Sequence, residues 1–464
     1  MTCRAGRAVV HRFICARHNK AEEAVAAFPL GAYGHLGPAC VHMTVHRTNA
    51  SGVCQPRHAA TPCPTNSVPL PTLAQQRYQR HEIVGLTHFN MATFVHNGDP
   101  ACSSTNWNQG VNCSNPAVFN PVKLDIDNWI ASYKALGAKH AVLTAKHGCG
   151  FLLWSTNTSL PNGRPYGYGV QRPNVPSFPR DVVLEFSTKM QAAGLGHGFY
   201  YSTGNNFYLN RIDFKPAGAL LPGQVVNVTD KEYNTLVFEH VRELWSRYGN
   251  LTEIWFDHGY AGDQKAALQQ LLQQYQPHAA GFNGYGIMPS PVKWCGTESG
   301  TPPRGFWSTG CDASSGNPNA TSYCPTGVDT TLQDFDTWFW MPGVPIRSLG
   351  AMMDVYHASV GNNGVLELDF AINRDGLVDA THAVLYKQLG DWIRACYGTP
   401  LANASATGTT VTLTFQQPVT TDRFMLQEAF ESGERVRTWR IDVQEKNHLQ
   451  QMRQRHEGEY APRR

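Results

Sequence analysis

The chain alternates short apolar runs with segments of helical period. Seven runs have the length and composition of buried parallel strands, and they lie at residues 82–89, 140–145, 197–202, 252–257, 279–283, 292–296 and 364–371. Amphipathic segments lie between them at 125–137, 180–194 and 229–249. The last segment begins with Thr229 and Glu232 in the spacing of a capping box and stops at Gly249, as a helix C-terminus does.

This repetition of strand and helix predicts an α/β fold with a parallel sheet. The number of units favours a (β/α)8-like TIM barrel over a doubly wound sheet, and no G-x-G-x-x-G sequence follows any of the runs. We therefore predict a catalytic (β/α) barrel over residues 68–397.

The two ends of the chain differ from this pattern. Residues 1–67 show neither helical nor strand periodicity, and we interpret them as a poorly ordered leader. After Gly398 apolar residues occupy every second position, as in half-exposed antiparallel strands. The pattern predicts a partial C-terminal β-sandwich over residues 398–444, followed by a polar tail at 445–464.

Length and charge narrow the possible partners. A chain of 464 residues is long enough for one large core and a smaller unit. Its formal net charge of +3 gives no reason to expect a polyanionic partner, so we predict no nucleic acid binding. The sequence has no run of 18 apolar residues, and we predict no membrane span.

Cysteines and sequons point to an oxidising compartment. Two cysteine pairs, Cys102 with Cys113 and Cys311 with Cys324, bracket loops rich in Asn, Ser and Gly, which is typical of loop-closing disulfides. Asn-x-Ser/Thr sequons occur at Asn49, Asn112, Asn157, Asn227, Asn250, Asn319 and Asn403. Together they predict a glycoprotein that is secreted, extracellular or lysosomal/vacuolar. The first 20 residues lack the apolar core of a signal peptide, and their Arg-rich, acid-free composition leaves an organelle transit peptide as an alternative.

Two acidic residues follow predicted barrel strands. Catalytic residues of such barrels lie at the C-terminal ends of strands. Asp257 closes the run TEIWFD among aromatic residues, whose faces suit the C–H surface of a sugar, and Glu298 follows the run ending in KWCG. A pair of carboxyl groups, one ionised and one protonated, is the minimum requirement for glycoside hydrolysis. The alternatives are that Asp257 caps a turn or helix and that Glu298 is a solvated loop residue.

Two histidines, His88 and His147, also stand at predicted strand ends. Their spacing matches neither H-x-H nor H-E-x-x-H, so we predict no metal site and no cofactor. We interpret both as hydrogen-bonding groups for sugar hydroxyls. The alternative is that each is a core histidine whose hydrogen bonds are satisfied internally.

Motifs around these residues occur in a fixed order along the chain. They read HFNMATF, NWNQGVNCSNPAVFNPVKLDIDNW, LGAKHAVLTAKHGCGFLLW, GFYYS, EIWFDHGY, KWCGTESG and NNGVLELDFAINRDGLV. In this order they resemble glycoside hydrolase family 29, the α-L-fucosidases, and look most similar to its plant- and fungal-like branch. The resemblance covers about residues 68 to 440, and its last part is similar to the opening of a galactose-binding-like β-sandwich that stops early.

The resemblance implies a retaining, two-step reaction on a fucosylated oligosaccharide or glycoconjugate. In it Asp257 matches the nucleophile and Glu298 the general acid/base. The implied substrate-binding residues are His88, His147, Tyr200, Trp255 and Trp107. The chain departs from the family pattern at Gly148, where the family has a second His, and at Asn106, where it usually has a Glu. Each departure implies the loss of one or two hydrogen bonds to the sugar, worth about 0.5–1.5 kcal/mol apiece when neutral, and so weaker substrate binding or an altered linkage preference.

Two other functions stay open at this point. A fucose-binding, lectin-like protein with little turnover would fit the departures at Gly148 and Asn106 and the short C-terminal domain. A metal-dependent hydrolase would use His88, His147 and Asp257 as ligands. We expect the fucosidase, because a lectin needs neither carboxyl group.

Overall fold

A computed structural model provides the structure of the protein. It describes residues 9–16, 40–49, 68–95, 113–171, 175, 178, 180–221, 223–224, 228–302, 305–334, 336–399, 406–407, 410–419, 423–445 and 448–454.

The strands, numbered in chain order, are β1 Val9–Ala16, β2 Cys40–Asn49, β3 Ile83–His88, β4 His140–Lys146, β5 Gly196–Ser202, β6 Arg211–Ile212, β7 Lys215–Pro216, β8 Glu253–Asp257, β9 Ala280–Phe282, β10 Pro291–Trp294, β11 Thr326–Thr330, β12 Gly364–Ala371, β13 Ala406–Thr407, β14 Thr410–Val419, β15 Arg423–Glu428, β16 Val436–Glu445 and β17 His448–Gln454. The α-helices are α1 Leu73–His81, α2 Ile126–Leu136, α3 Val182–Ala192, α4 Asp230–Arg247, α5 Lys265–Tyr275, α6 Leu349–Ser359 and α7 Ala380–Tyr397.

Eight parallel strands close into a barrel in the order β10-β11-β12-β3-β4-β5-β8-β9. This confirms the predicted TIM barrel. Each of the seven predicted runs overlaps one of its strands, but β11 was not predicted, because TGVDT has a single large apolar residue. All five of its residues are nevertheless buried. A Cβ at Gly327 would lie 2.5 Å from Phe282, so glycine lets β11 approach the packed interior.

Aromatic and branched side chains fill the barrel. Its interior cluster consists of Tyr78, Val84, Leu86, Val142, Tyr200, Trp255, Ala280, Phe282, Val292 and Val365. The rings of Trp255 and Phe282 stack with centroids 3.7 Å apart. Full burial of one such large apolar side chain contributes about 1.5–3 kcal/mol, so the interior holds the parallel strands in register.

The three predicted helical segments are present as α2, α3 and α4. In α2 the stripe of Ile126, Trp129, Ile130 and Tyr133 is buried. At the start of α4, the Thr229 hydroxyl accepts from the Glu232 backbone N–H at 3.3 Å, and the Glu232 carboxylate accepts from the Thr229 backbone N–H at 2.8 Å. The predicted capping box is therefore present.

The terminal strands form antiparallel sheets of their own. One has the order β13-β1-β15 and the other β14-β2-β16-β17. The alternation after Gly398 is thus confirmed as antiparallel strands, and β1 and β2 come from the segment that we expected to be a leader. The chain divides into two compact units, of which the larger comprises Thr72–Asn317 and Tyr323–Gly390. The domain boundaries at residues 67 and 397 stay predictions.

The predicted disulfide between Cys311 and Cys324 is present. Cys102 lies outside the described residues, but Cys113 is not disulfide-bonded, so the predicted pairing of these two cysteines is wrong. Cys149 is also disulfide-bonded, which the sequence did not indicate. In the part of the chain that the structure describes, no helix has the length and apolar character needed to cross a membrane.

Candidate active site

Asp257 is the first residue of β8 to emerge from the barrel. The four preceding residues of the strand are buried, whereas the Asp257 side chain is 30% exposed. The Tyr200 hydroxyl donates a hydrogen bond to Asp257 Oδ2, and His258 Nε2 lies 3.4 Å from the same oxygen. The carboxylate is therefore held in one orientation while it remains open to the barrel mouth.

Tyr200 lies at the centre of an aromatic group around Asp257. Its ring stacks in parallel on His147 at 5.3 Å, and Trp255 lies 5.5 Å away. Burial raises the pKa of Tyr200 well above its usual value, and the nearby charge of Asp257 adds to this. The phenol consequently stays protonated and acts as a hydrogen-bond donor to the carboxylate.

His88, at the end of β3, lies beside His147 at a ring distance of 5.9 Å. Its Nδ1 is 2.8 Å from Oδ1 of Asp369, a fully buried acid on β12. Burial lowers the pKa of His88 well below its usual value, and His147 lowers it further. His88 is thus a neutral imidazole whose ring is fixed by Asp369.

Lys146 was missed by the sequence analysis although it precedes His147 in the same motif. Its amino group donates to the backbone carbonyls of Ser202 and Asn205 and lies 4.9 Å from the centre of the Tyr201 ring. These contacts tie the end of β4 to the loop that follows β5. Burial lowers the pKa of Lys146 well below its usual value, while the charge of Asp257 opposes this.

Glu298 lies in the loop after β10 and reaches solvent at the barrel mouth. Its backbone carbonyl accepts from Thr330 Oγ1 at 2.7 Å, and its carboxylate accepts from Trp338 Nε1 at 3.3 Å. Desolvation by the surrounding protein raises the pKa of Glu298, and the negative charges of Asp336 and Asp257 raise it further. The two acids are thus close enough to interact electrostatically.

Trp338 and Phe339 complete the site, and sequence reasoning did not select them. Trp338 lies 4.9 Å from the His88 ring, and Phe339 lies 5.2 Å from His88 and 5.0 Å from His147. Both residues come from the loop between β11 and α6, where the aromatic cluster TWFW was the available signal. This loop supplies an aromatic wall over the two histidines.

The predicted residues therefore converge, with one exception that the structure does not describe. Asp257, His88, His147, Tyr200 and Trp255 form a continuous group of contacts, and Glu298 joins it through Trp338. Trp107 and Asn106 lie outside the described residues. Within the described ranges, no three His, Cys, Asp or Glu side chains are arranged to hold a metal ion.

Solved structures of similar fold carry the same architecture. A Bacteroides thetaiotaomicron VPI-5482 protein described as a putative alpha-L-fucosidase aligns with a TM-score of 0.62 and 21% identity, over 78% of this chain and 99% of that one. A Ruminococcus gnavus family 29 fucosidase, solved in complex with fucose, aligns with a TM-score of 0.57 and 20% identity, over 74% and 70% of the two chains. At these identities the likeness shows the fold.

Two plant proteins are similar in sequence. Alpha-L-fucosidase 1 of Arabidopsis thaliana is 26% identical over 374 residues, which is 76% of this chain and 65% of that protein. The putative alpha-L-fucosidase 1 of Oryza sativa subsp. japonica is 27% identical over 372 residues, 76% of this chain and 64% of that protein. The chain thus spans less than two thirds of the length of either relative.

The family profile described as Alpha-L-fucosidase matches residues 75–398. This range is well over half of the chain and includes every strand of the barrel and the whole cluster around Asp257. The chain therefore belongs to the α-L-fucosidase family.

Proposed function

We propose that the protein is a retaining α-L-fucosidase that releases terminal α-L-fucose from oligosaccharides or glycoconjugates. The observation that carries this proposal is the pair Asp257 and Glu298 at one barrel mouth, the first held by Tyr200 and the second with a raised pKa. Family membership supports it, as do the two plant relatives named as α-L-fucosidases and the R. gnavus fucosidase that binds fucose.

In the first step an Asp257 oxygen attacks the anomeric carbon of fucose and the bond to the leaving oxygen breaks. Glu298 gives its proton to that oxygen, so the leaving alcohol departs neutral. This step needs a protonated Glu298, which the raised pKa favours at mildly acidic pH. The product is a fucosyl ester of Asp257.

In the second step the ionised Glu298 takes a proton from water, and the resulting hydroxide attacks the anomeric carbon. The ester bond breaks, fucose leaves and the Asp257 carboxylate is regenerated. Two inversions at one carbon give net retention. His88, His147 and Tyr200 serve as hydrogen-bonding groups around the sugar, and the rings of Trp255 and Trp338 offer apolar faces to its C–H surface. Trp107 stays a proposed contact.

Hydrolysis of 4-nitrophenyl α-L-fucoside tests the proposal. We expect Asp257→Ala to lose nearly all activity and Glu298→Ala to lose about 10²- to 10⁴-fold, as is usual for a general acid/base. Asp263→Ala is the matched control, because this exposed acid near the end of β8 contacts Asn234 and lies outside the cluster. Equal rates in wild type and Asp257→Ala would overturn the proposal.

Trapping identifies the nucleophile directly. We expect a 2-fluoro-fucosyl fluoride to label one peptide, the one that contains Asp257, by mass spectrometry. Binding of fucose without any hydrolysis or labelling would instead support the lectin-like alternative, which Gly148 favours because it offers no side chain to the sugar.

The proposed location is a secreted, extracellular or lysosomal/vacuolar compartment. The disulfide between Cys311 and Cys324 supports it, because such bonds persist in oxidising compartments. Digestion of the protein isolated from its native source with an N-glycosidase, followed by a shift in mass, tests it. An unchanged mass would remove the support that the sequons give.

A further inference from the structure

His258, the residue after Asp257, has a backbone conformation that is uncommon for a residue with a side chain. Its φ is +65°, in the left-handed region that favours glycine. The buried Thr203 hydroxyl lies 2.5 Å from the carbonyl oxygen of Asp257 and 2.7 Å from that of Gly259, so it holds the chain on both sides of His258. Strained conformations that the surrounding structure holds in place are typical of functional sites.

The two ring nitrogens of His258 have different partners. Nδ1 lies 3.0 Å from Asp213 Oδ1, and Nε2 lies 2.9 Å from Asn205 Nδ2. Asn205 Oδ1 accepts from the Asp213 backbone N–H at 2.9 Å, which fixes the amide so that its NH2 group points at the ring. An NH2 group only donates, so Nε2 is the acceptor, and the ring proton is on Nδ1 and is donated to Asp213. The contacts therefore hold one orientation and one tautomer of His258.

Asp213 lies at the tip of a hairpin that is fixed to the loop after β5. Strands β6 and β7 are joined by Asp213 and Phe214, whose φ values of +48° and +63° are those of a type I′ turn. The Phe214 N–H donates to the carbonyl of Gly204 at 2.9 Å, and the buried Arg211 donates to the carbonyl of Phe214 at 3.3 Å. A Cβ at Gly204 would lie 2.8 Å from the His258 Cβ, so glycine lets this loop pack directly against His258.

The Nε2 edge of the ring also faces the proposed nucleophile. It lies 3.4 Å from Asp257 Oδ2, the oxygen that accepts from the Tyr200 hydroxyl. Because the proton of His258 is on Nδ1, Nε2 presents a lone pair to this oxygen and does not donate to it. Oδ2 is thus confined between the donor on Tyr200 and a ring nitrogen that offers it no second hydrogen bond. This arrangement leaves Oδ1 as the attacking oxygen.

We propose that His258 is a positioning residue for the nucleophile, which keeps Asp257 Oδ2 on Tyr200 and thereby presents Oδ1 to the anomeric carbon. Asp213 and Asn205 act through His258, because they hold its ring and its tautomer. In the first step Oδ1 forms the ester bond while the bond to the leaving oxygen breaks and the acid/base protonates that oxygen. The inference rests on the proposed function and deepens it by naming the groups that orient the nucleophile.

His258→Gly removes the ring and suits the backbone, because glycine adopts a positive φ without strain. We expect kcat/KM on fucosyl fluoride, and the rate constant of trapping by a 2-fluoro-fucosyl fluoride, to fall about ten- to hundredfold, since a small displacement of the nucleophile slows attack. The inhibition constant of L-fucose should stay within about twofold, because the ring orients Asp257 and does not bind the sugar. Glu82→Gly is the matched control. It makes the same change at a left-handed residue, φ +59°, just before β3 at the other end of the barrel, and should alter none of these values.

Two substitutions of Asp213 test whether it acts through His258. Asp213→Asn and Asp213→Gly both suit the positive φ of the turn, but only Asp213→Asn keeps an acceptor for the Nδ1 proton. Per folded molecule, we expect kcat/KM to change less than about threefold for Asp213→Asn and to fall about three- to tenfold for Asp213→Gly. The double variant His258→Gly/Asp213→Gly should be no slower than His258→Gly alone.

Each other outcome overturns the inference and leaves the proposed function intact. Wild-type kcat/KM and trapping in His258→Gly, or equal rates in Asp213→Asn and Asp213→Gly, would show that these contacts do not orient the nucleophile. An inhibition constant of fucose that rises by the factor that kcat/KM loses would make His258 a sugar-binding residue. Losses that multiply in the double variant would show that Asp213 acts independently. The proposed function itself fails only if the wild type hydrolyses no fucoside.

Discussion

The barrel holds carboxyl groups in two regions with opposite surroundings. At the mouth Asp257 and Glu298 reach solvent. Deeper in the barrel Glu253 and Glu367 are fully buried. There His140 Nε2 lies 2.8 Å from Glu253 Oε2. Tyr78 donates to Glu367 at 2.5 Å and Trp255 Nε1 donates to it at 2.7 Å. We call Tyr78, His140, Glu253 and Glu367 the floor network.

Burial makes the floor network neutral. It raises the pKa of Glu253 to about 8 and lowers that of His140 to about 3. Burial also raises the pKa of Glu367 well above its usual value, and the neighbouring Glu253 adds to this. The same residue types thus serve as uncharged hydrogen-bonding groups at the floor and as accessible acids at the mouth. Trp255 joins the regions, since its N–H reaches Glu367 and its ring lies beside Tyr200.

The largest difference between the regions should appear in catalysis. We expect Asp257→Asn to reduce turnover of fucosyl fluoride by more than the ~10²–10⁴-fold typical of losing an acid/base, because the amide cannot form the ester. Its thermal midpoint should stay close to that of wild type. Glu253→Gln is the matched floor variant, and we expect it to keep most of the turnover per folded molecule. Comparable losses in the two variants would contradict the division into regions.

For the free energy of unfolding we expect the reverse: substitutions in the floor network should reduce it more than substitutions at the mouth. Glu367→Leu removes the acceptor of two buried donors, Tyr78 O–H and Trp255 N–H, and each orphaned group costs about 1–3 kcal/mol of unfolding free energy. Glu367→Gln retains an acceptor and should lose less. Urea denaturation of wild type and the two variants measures this. Equal midpoints for Glu367→Leu and wild type would show that the floor network does not contribute to stability.

The sequence predicts the mouth better than the floor for a physical reason. Asp257 ends an apolar strand and therefore interrupts the pattern, whereas Glu253 and Glu367 lie inside runs that read as continuous buried strands. Their partners Tyr78 and His140 come from other elements. Residues that form a hydrogen bond across a barrel have no fixed separation along the sequence, so no spacing pattern reveals the pair. Trp338 and Phe339 were missed similarly, because their loop has no periodicity and its position depends on tertiary packing. The strand β11 was missed because Gly327 and Asp329 interrupt its run of apolar residues.

The raised pKa of Glu253 should also make the free energy of unfolding depend on pH, which distinguishes the floor network from the mouth. The pKa of Glu253 is about 8 in the folded protein and near its ordinary 4.5 in the unfolded chain, so the folded state holds an extra proton between these values. Its contribution to stability is therefore complete below about pH 4.5 and decreases as the pH rises towards about 8. We expect Glu253→Gln to reduce this decline in urea midpoints measured between pH 5 and 8. A decline as steep as that of wild type would mean that other groups cause it.

Asp369 tests the boundary between the regions, because it is buried like the floor acids but contacts His88 at the mouth. Burial raises the pKa of Asp369 well above its usual value, so we expect a protonated carboxyl that donates to His88 Nδ1 and leaves the proton of His88 on Nε2. The amide of Asp369→Asn can make the same donation, and kcat/KM should change less than about threefold. Asp369→Leu removes one neutral hydrogen bond worth about 0.5–1.5 kcal/mol and should raise KM by up to about tenfold. If Asn is instead as damaging as Leu, Asp369 is ionised and accepts a hydrogen bond from His88. Burial alone would then not separate charged from neutral acids in this barrel.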